Sequence, residues 1–530
     1  MNKKTILSCA LATRKNVRNL RGASLAAALI VILAITAVTA TLGLSIFRPF
    51  TDDSGFIQSA PSGVTISTSL GSIIPVNGPL DATNKFFDAN FGTNGQACVT
   101  CHQPAQGFTI HVDFINNMFA ASNGTDPLFR PNDTANNPNV TTVSADDYSL
   151  FLNLGVIRIG KTFGVTPPLT VPNFTAVAAD QDTITRFASP DVFPLTTDPQ
   201  QQFAAGGSAA HPTLSLFRRP LVNTNVHLDS SVLWDGRASI GNIRGQVKGA
   251  ATTLLLAPTP SDADADQVAE FMLGVFTDQV FDASAALPKG AGLLSARGAL
   301  GGVSNLVALA LGPNAPCTSF LSNPCVSGGV GSDIFNAWTN LPGGPNGTNA
   351  ARLSVARGQD IFNNKTLHVP ADLQAQLGSA SIHCTTCHQT KNVGNNPSGT
   401  FFVRIGTDSL EILNGLVAAG HPELQAVVER VKTLPQYCLR PTSDTTAGAC
   451  GTHLTDVITT DPGRAMVSGD IADVGKFKPP ILRGLAARSP YFHAGAAGEI
   501  EFVVDFYNAR FNIGLNDQEK IDLIAFLETF

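Results

Sequence analysis

Cys98-Val99-Thr100-Cys101-His102 and Cys384-Thr385-Thr386-Cys387-His388 are two copies of one five-residue pattern, C-x-x-C-H. Two thiols at this spacing can each add to a vinyl group of one porphyrin, and the adjacent imidazole then stands beneath the iron. That is the attachment site of a c-type haem. The competing chemistries are a redox dithiol and half of a zinc site. Zinc would need further Cys or His ligands close by, and neither motif has a second Cys pair near it. Two chance copies in a chain with nine Cys are not a serious alternative. The sequence therefore predicts two covalently bound haem c groups. One is on Cys98 and Cys101 with His102 as iron ligand, the other on Cys384 and Cys387 with His388.

The elements that must position these motifs are legible in part. A helical start is expected at 81–87, leading into the first motif, and 107–220, rich in Asn, Thr, Asp and Pro, reads mostly as loops. Ser261 is a helix N-cap followed by acidic residues, with Val268, Phe271, Met272 and Val275 on one face. The Gly/Asn/Pro-rich stretch 328–349 is a domain boundary. A helix from Ala350 to Phe362 delivers the chain to the second motif. A last helix, with Asn516 and Glu519 at capping-box spacing and Ile521, Leu523, Ile524 and Leu527 apolar, closes the chain. The predicted fold is mainly α with long loops: two cytochrome c-like haem domains, 81–345 and 350–530, after an N-terminal transmembrane or signal segment (1–50) and a Ser/Gly/Thr/Pro linker (51–80).

Six Lys and Arg precede an uncharged run at 22–47 that is long enough to span a bilayer. A signal peptide cleaved after Val38-Thr39-Ala40 is the other reading. Both put the rest of the chain in the periplasm, tethered to the inner membrane or free. Cys317 with Cys325 and Cys438 with Cys450 bracket short loops and suit local disulfides in an oxidising space, although other pairings stay open. A net charge of −6 over 530 residues argues against a nucleic-acid partner.

Three further stretches carry a resemblance. Arg219-Pro220-Leu221 through Trp234-Asp235-Gly236-Arg237 is similar to the segment of bacterial di-haem cytochrome c peroxidases that ends in W-D-G-R. Gly475-Lys476-Phe477-Lys478-Pro479-Pro480 through Pro490-Tyr491-Phe492-His493-Ala494-Gly495 resembles their F-K-x-P-x-L-R-N … P-Y-F-H-D-G run. Glu501 through Asn508 resembles their closing segment. The resemblance, over 81–530, is to the di-haem cytochrome c peroxidase/MauG superfamily.

It implies an oxidoreductase that meets hydrogen peroxide or oxygen at the His102 haem and takes electrons through the His388 haem. The donor would be a periplasmic protein or an oxidisable protein substrate. It also implies that Trp234 lies between the haems, that Arg237 binds a haem propionate or a backbone carbonyl, and that Gln246 hydrogen-bonds a distal oxygen. At fourteen residues after His493, where the peroxidases have Met and MauG has Tyr, stands Tyr507. A phenolate ligand favours Fe(III) and lowers the potential.

Two departures matter. The family's acid-base Glu, ten residues after the Gln, is replaced by Leu256, and Gly484 stands for the Asn of L-R-N that accompanies a calcium between the domains. Calcium thus stays an open expectation. The missing carboxylate also keeps two other readings in play: an electron-transfer cytochrome without its own substrate, and a di-haem oxygenase with an apolar pocket around Leu254 to Leu256. His111 and Met118 are candidate distal groups, whereas His227, His383 and His421 carry no pattern of their own.

Overall fold

The helix Thr348–Asn364 and the closing helix Asp517–Leu527 pack against each other at Gly358, where a Cβ would run into the Asp522 carbonyl and the Phe526 Cβ. The contact is pinned by the buried Asp522, which accepts from Ser354 Oγ at 2.5 Å, Arg357 Nε at 2.6 Å and Arg357 Nη2 at 2.8 Å. The Asn516–Glu519 capping box is present, and Ser261 caps the helix Asp262–Gly274, both as expected. Ile521 departs from the apolar set and lies exposed.

This computed structural model describes residues 66–68, 71–76, 81–136, 140, 143–162, 183–187, 213–224, 226, 229, 231–282, 335–342, 348–388, 402–440, 454, 456–482, 484–485 and 488–529. They are mainly helical with little sheet, and all fall in one contact unit, Ser59–Phe530. No helix among them is long and apolar enough to cross a membrane. The expected span 22–47, Cys317, Cys325, Cys450, His227 and most of the boundary 328–349 lie outside the described residues, as does the Cys438 side chain.

Two expectations are corrected. Residues 81–87 form turns, not a helix, because Asp81 and Asn84 bond the nearby backbone: Asp81 Oδ1 accepts from Thr83 N at 2.9 Å, and Asn84 Oδ1 from Phe86 N at 2.9 Å. Such short polar side chains compete with the helical ladder. Within 107–220 a helix runs from Val112 to Ser122, N-capped by the His111 side chain. Its apolar i, i+3, i+4 pattern (Ile115, Met118, Phe119) was masked by the polar residues around it.

The sheets are small and tie distant parts of the chain together. Ile157–Thr162 pairs antiparallel with Thr213–Arg218, and Thr183–Phe187 pairs with Gln436–Arg440 in the register Tyr437↔Arg186. Two buried clusters carry the motifs. One gathers Phe129, Tyr148 and Phe151, with Cys101 and Leu254 packed against it. The other gathers Leu373, Val504 and Phe526, with Cys384, Cys387 and Tyr507 against it.

Candidate functional site

The two C-x-x-C-H motifs take one local shape. Cys98–Cys101 and Cys384–Cys387 are each a single helical turn, preceded by an extended residue at φ/ψ −122/172 (Ala97) and −124/165 (His383). Each ends on a non-helical His at −112/68 (His102) and −114/79 (His388). The residue after the first x is a Thr in both copies, and its hydroxyl accepts the preceding backbone N–H: Ala97 N to Thr100 at 2.9 Å, His383 N to Thr386 at 3.1 Å. Both His N–H groups close the turn onto the first Cys carbonyl, at 3.0 and 2.9 Å. Burial pushes the thiols of Cys98, Cys384 and Cys387 up to about 12, so they are held neutral, and no disulfide joins these pairs.

At the first motif, His102 Nδ1 lies 3.1 Å from the Phe108 carbonyl, and burial pulls the imidazole down to about 4, keeping it neutral. A neutral ring whose Nδ1 is fixed by a carbonyl suits metal ligation through the other nitrogen. Phe108 reaches this position at φ +58, a costly conformation for an aromatic residue. Phe271, on the helix that Ser261 starts, packs on Phe86 at 4.7 Å between centroids, and Phe86 stands 6.5 Å from the His102 ring.

Leu255 belongs to a small buried cluster against which Phe91 and Cys98 pack. Leu256 follows at φ +51, exposed, with its carbonyl accepting from Thr93 Oγ1. A carboxylate does lie near this motif, one that the sequence did not single out. Asp133 is buried, receives Gln96 Nε2 at 3.4 Å, and acts electrostatically on Cys101. Burial raises its carboxyl to about 7.

At the second motif a cavity of about 1510 Å³, its mouth included, is lined by Cys384, Cys387 and His388. Its walls are apolar (Leu377, Val403, Leu482, Leu527), and Tyr507 faces it while stacking at 13° on Phe511. Burial drives the Tyr507 phenol above its ordinary value, and the neighbouring Cys387 and Cys384 push the same way.

The polar part of the lining includes Arg219, Arg488, Lys478, Trp234 and His493, together with Thr407 and Tyr491. Lys478 is matched by Asp229 at 3.0 Å. Arg219 bonds only carbonyls, among them Gly155 at 2.6 Å and Ile110, and burial together with the Arg488 charge pulls it down to about 9. Arg488 has no carboxylate in ion-pair reach among the described residues, and burial lowers it to about 10. Two thiols, an imidazole, apolar walls and cations without carboxylates fit a c-type haem, whose two propionates would supply the missing charge.

Trp234 lines this cavity and is held at both ends: its Nε1 donates to the Arg219 carbonyl at 2.9 Å, and its carbonyl accepts Lys478 N at 2.8 Å. Leu233 before it sits at φ +69. The same strand end reaches the first motif, since the Pro220 carbonyl accepts from Thr109 Oγ1 at 2.9 Å.

Not every expected residue joins these sites. Arg237 is engaged by Asp235, through Nε at 2.8 Å and through Nη2, and does not line the cavity. Gln246 is half-buried on the helix Ile243–Thr253. His111 is occupied as a cap, its Nδ1 accepting Asp113 N at 3.1 Å, and Met118 packs on the cluster that holds Cys101. His383 Nδ1 lies 3.1 Å from the Lys365 carbonyl, and His421 bonds Glu423. Among the described residues no three His, Cys, Asp or Glu gather to hold a metal ion.

No protein-family model matches the chain. Short stretches of it are similar to curated bacterial peroxidases. Cytochrome-c peroxidase IdrP2 of Denitromonas iodatirespirans is 42% identical over 76 residues, covering 13% of this chain and 21% of the relative. Cytochrome-c peroxidase IdrP1 of the same organism is 39% identical over 67 residues, covering 11% and 18%. Cytochrome c551 peroxidase of Nitrosomonas europaea is 38% identical over 68 residues, covering 13% and 20%. The chain thus aligns with about a fifth of the length of the curated relatives it matches. These similarities support a relationship to the bacterial cytochrome c peroxidase family.

Proposed function

We propose that this chain is an exported di-haem c-type oxidoreductase of the cytochrome c peroxidase kind. It reduces hydrogen peroxide, or oxygen, at the haem on Cys98 and Cys101 and receives electrons through the haem on Cys384 and Cys387. The observation that carries the reading is the duplicated C-x-x-C-H turn with one backbone geometry in both copies. When bound, the haems supply one-electron chemistry and a place for an oxygen ligand.

The chain's own residues supply the rest. His102 and His388 would hold the two irons, and Tyr507 would offer its oxygen to the iron of the second site. Trp234, fixed between the Arg219 carbonyl and Lys478 N–H, gives an aromatic path along the wall between the two motifs. Gln246 orients an oxygen ligand. Export, by an anchor or a cleaved signal at 22–47, places the protein in the periplasm beside a small donor protein or an oxidisable protein substrate. Domains 81–345 and 350–530 then each carry one haem.

The test is the covalent haem count. Denatured protein should keep its haem stain, and its mass should exceed the polypeptide by two haem units. Cys98→Ala and Cys384→Ala should each impair one attachment. A single haem, or haem extracted by acid acetone, would sink the proposal.

Leu256 favours a second reading, electron transfer without a substrate, because it stands where the family's acid-base Glu would be. Oxidation of a reduced donor that peroxide does not accelerate would select that reading.

A further inference from the structure

His493 is 2% exposed, and its Nε2 has no hydrogen-bond partner among the described residues. The ring is otherwise tightly placed. It stacks on Phe477 at 4.0 Å and 20°, meets Trp234 edge-on at 6.3 Å and 73°, and its backbone carbonyl accepts Arg219 N at 2.6 Å. Phe492 before it is held at φ +65. Thr407 Oγ1 lies 3.4 Å from Nδ1. With that hydroxyl donating to Nδ1, the ring proton belongs on Nε2. A buried N–H without an acceptor is rare and calls for one.

No described residue supplies it. Asp461 and Asp408 act on the ring electrostatically, but Asp461 is bonded by Arg218 and Gly463 N, and Asp408 by Arg404 and Thr459 Oγ1. What remains is the cavity that His493 lines together with Arg488 and the second haem motif.

Resting on the proposed haem at Cys384 and Cys387, we propose that His493 Nε2 and Arg488 seat a propionate of that haem, and that His493 is the positioning residue joining Trp234 to it. The imidazole then touches the indole with its ring and the macrocycle's carboxylate with its N–H. With Arg488 balancing the charge of that carboxylate and the neutral His493 N–H hydrogen-bonding it, the pair raises the haem's potential and keeps it steady with pH.

The test uses purified holoprotein whose two covalent haems have first been counted by mass; failure of that count refutes the di-haem reading and not this one. His493→Phe keeps a ring between Phe477 and Trp234 and removes the N–H. His493→Gln restores a donor without the ring, and Arg488→Gln removes the charge. Spectroelectrochemical titration of the second haem from acid to alkaline pH should show a lower potential and a steeper pH slope in His493→Phe and in Arg488→Gln. His493→Gln should return towards wild type. Potentials and slopes unchanged in both His493→Phe and Arg488→Gln would overturn the proposal, and so would His493→Gln behaving as His493→Phe. Should His493→Phe fail to retain its haem, Arg488→Gln and His493→Gln decide alone: an unshifted potential in Arg488→Gln then overturns the proposal.

Discussion

Arg218 grips Asp461 at two points across 243 residues of sequence, Nε to Oδ2 at 2.6 Å and Nη2 to Oδ1 at 2.8 Å. Its Nη1 reaches Asp235 at 2.7 Å, and its guanidinium stands 5.9 Å from the centre of the Phe477 ring, on which His493 stacks. The Trp-Asp-Gly-Arg turn and the Phe477–His493 run are therefore fastened to each other from behind the cavity wall. Burial alone would raise the Asp235 carboxyl, but Arg237 and Arg218 outweigh it and hold it far below the usual carboxylate range.

Breaking a buried pair on one side leaves an uncompensated charge. Asp461→Asn should lower stability by about 3–5 kcal/mol. Arg218→Met with Asp461→Leu should cost clearly less than either change alone, because Asp235 keeps Arg237. Urea midpoints of the single and paired variants check this; a paired loss equal to the sum of the singles would show that the grip is not the source.

Tyr507 separates a hard anionic ligand from simple packing at the second site. If its oxygen binds iron there, Tyr507→Met should raise that haem's potential, since a neutral thioether no longer favours Fe(III). Tyr507→Phe should change its spin state. The structure puts the ring on the cavity wall with Cys384 and Cys387 and also in a stack with Phe511. Spectra and potentials unmoved by both changes would leave only the stack.

The motif turns, the Ser261 cap and the Asn516–Glu519 box were legible because each is a local signal: a spacing, a cap or a period. Trp234 on the cavity wall was legible only through the W-D-G-R resemblance. Asp133, Arg219 and Arg488 were not, since what distinguishes them is desolvation that outweighs their charge partners, and that arises only when distant segments close around them. Arg237 shows the converse. Its motif suggested a cofactor contact, but Asp235, two residues away, takes both ends of the guanidinium. The failed helix at 81–87 has the same lesson in the backbone, where Asp81 and Asn84 offered nearer partners than the next turn.

Asp133 and Asp235 should tilt the pH dependence of stability in opposite directions. Asp133 is raised to about 7 in the folded chain, so between roughly pH 4, its unfolded value, and pH 7 the folded state holds more protons and stability falls as pH rises. Asp235 is depressed, so its contribution is present above about pH 4 and is lost as pH falls below that. Asp133→Asn should flatten the decline between pH 5 and about 7, relative to wild type, by up to about 1.4 kcal/mol per pH unit. Denaturation midpoints taken across that range would show it; parallel curves for wild type and Asp133→Asn would mean that the carboxyl titrates as in the unfolded chain.

Gly358 tests whether the crossing of the first and last helices of 348–529 is what holds the second haem site in shape. A Cβ there collides with the Asp522 carbonyl and the Phe526 Cβ, both on the closing helix, and backbone cannot step aside as a flexible side chain would. Overpacking of this kind costs about 1–3 kcal/mol. The strain falls beside Asp522, which ties Ser354 and Arg357 across the crossing, and beside Leu523 and Leu527, which line the cavity of Cys384 and Cys387. The first motif has its own cluster around Phe129 and Tyr148. Gly358→Ala should therefore lower covalent haem at Cys384 and Cys387 while leaving Cys98 and Cys101 loaded, read by mass spectrometry of the two motif peptides. Equal loss at both motifs would show that the helix crossing serves the whole chain, and no loss at either would show that the helices can slide apart without disturbing the cavity.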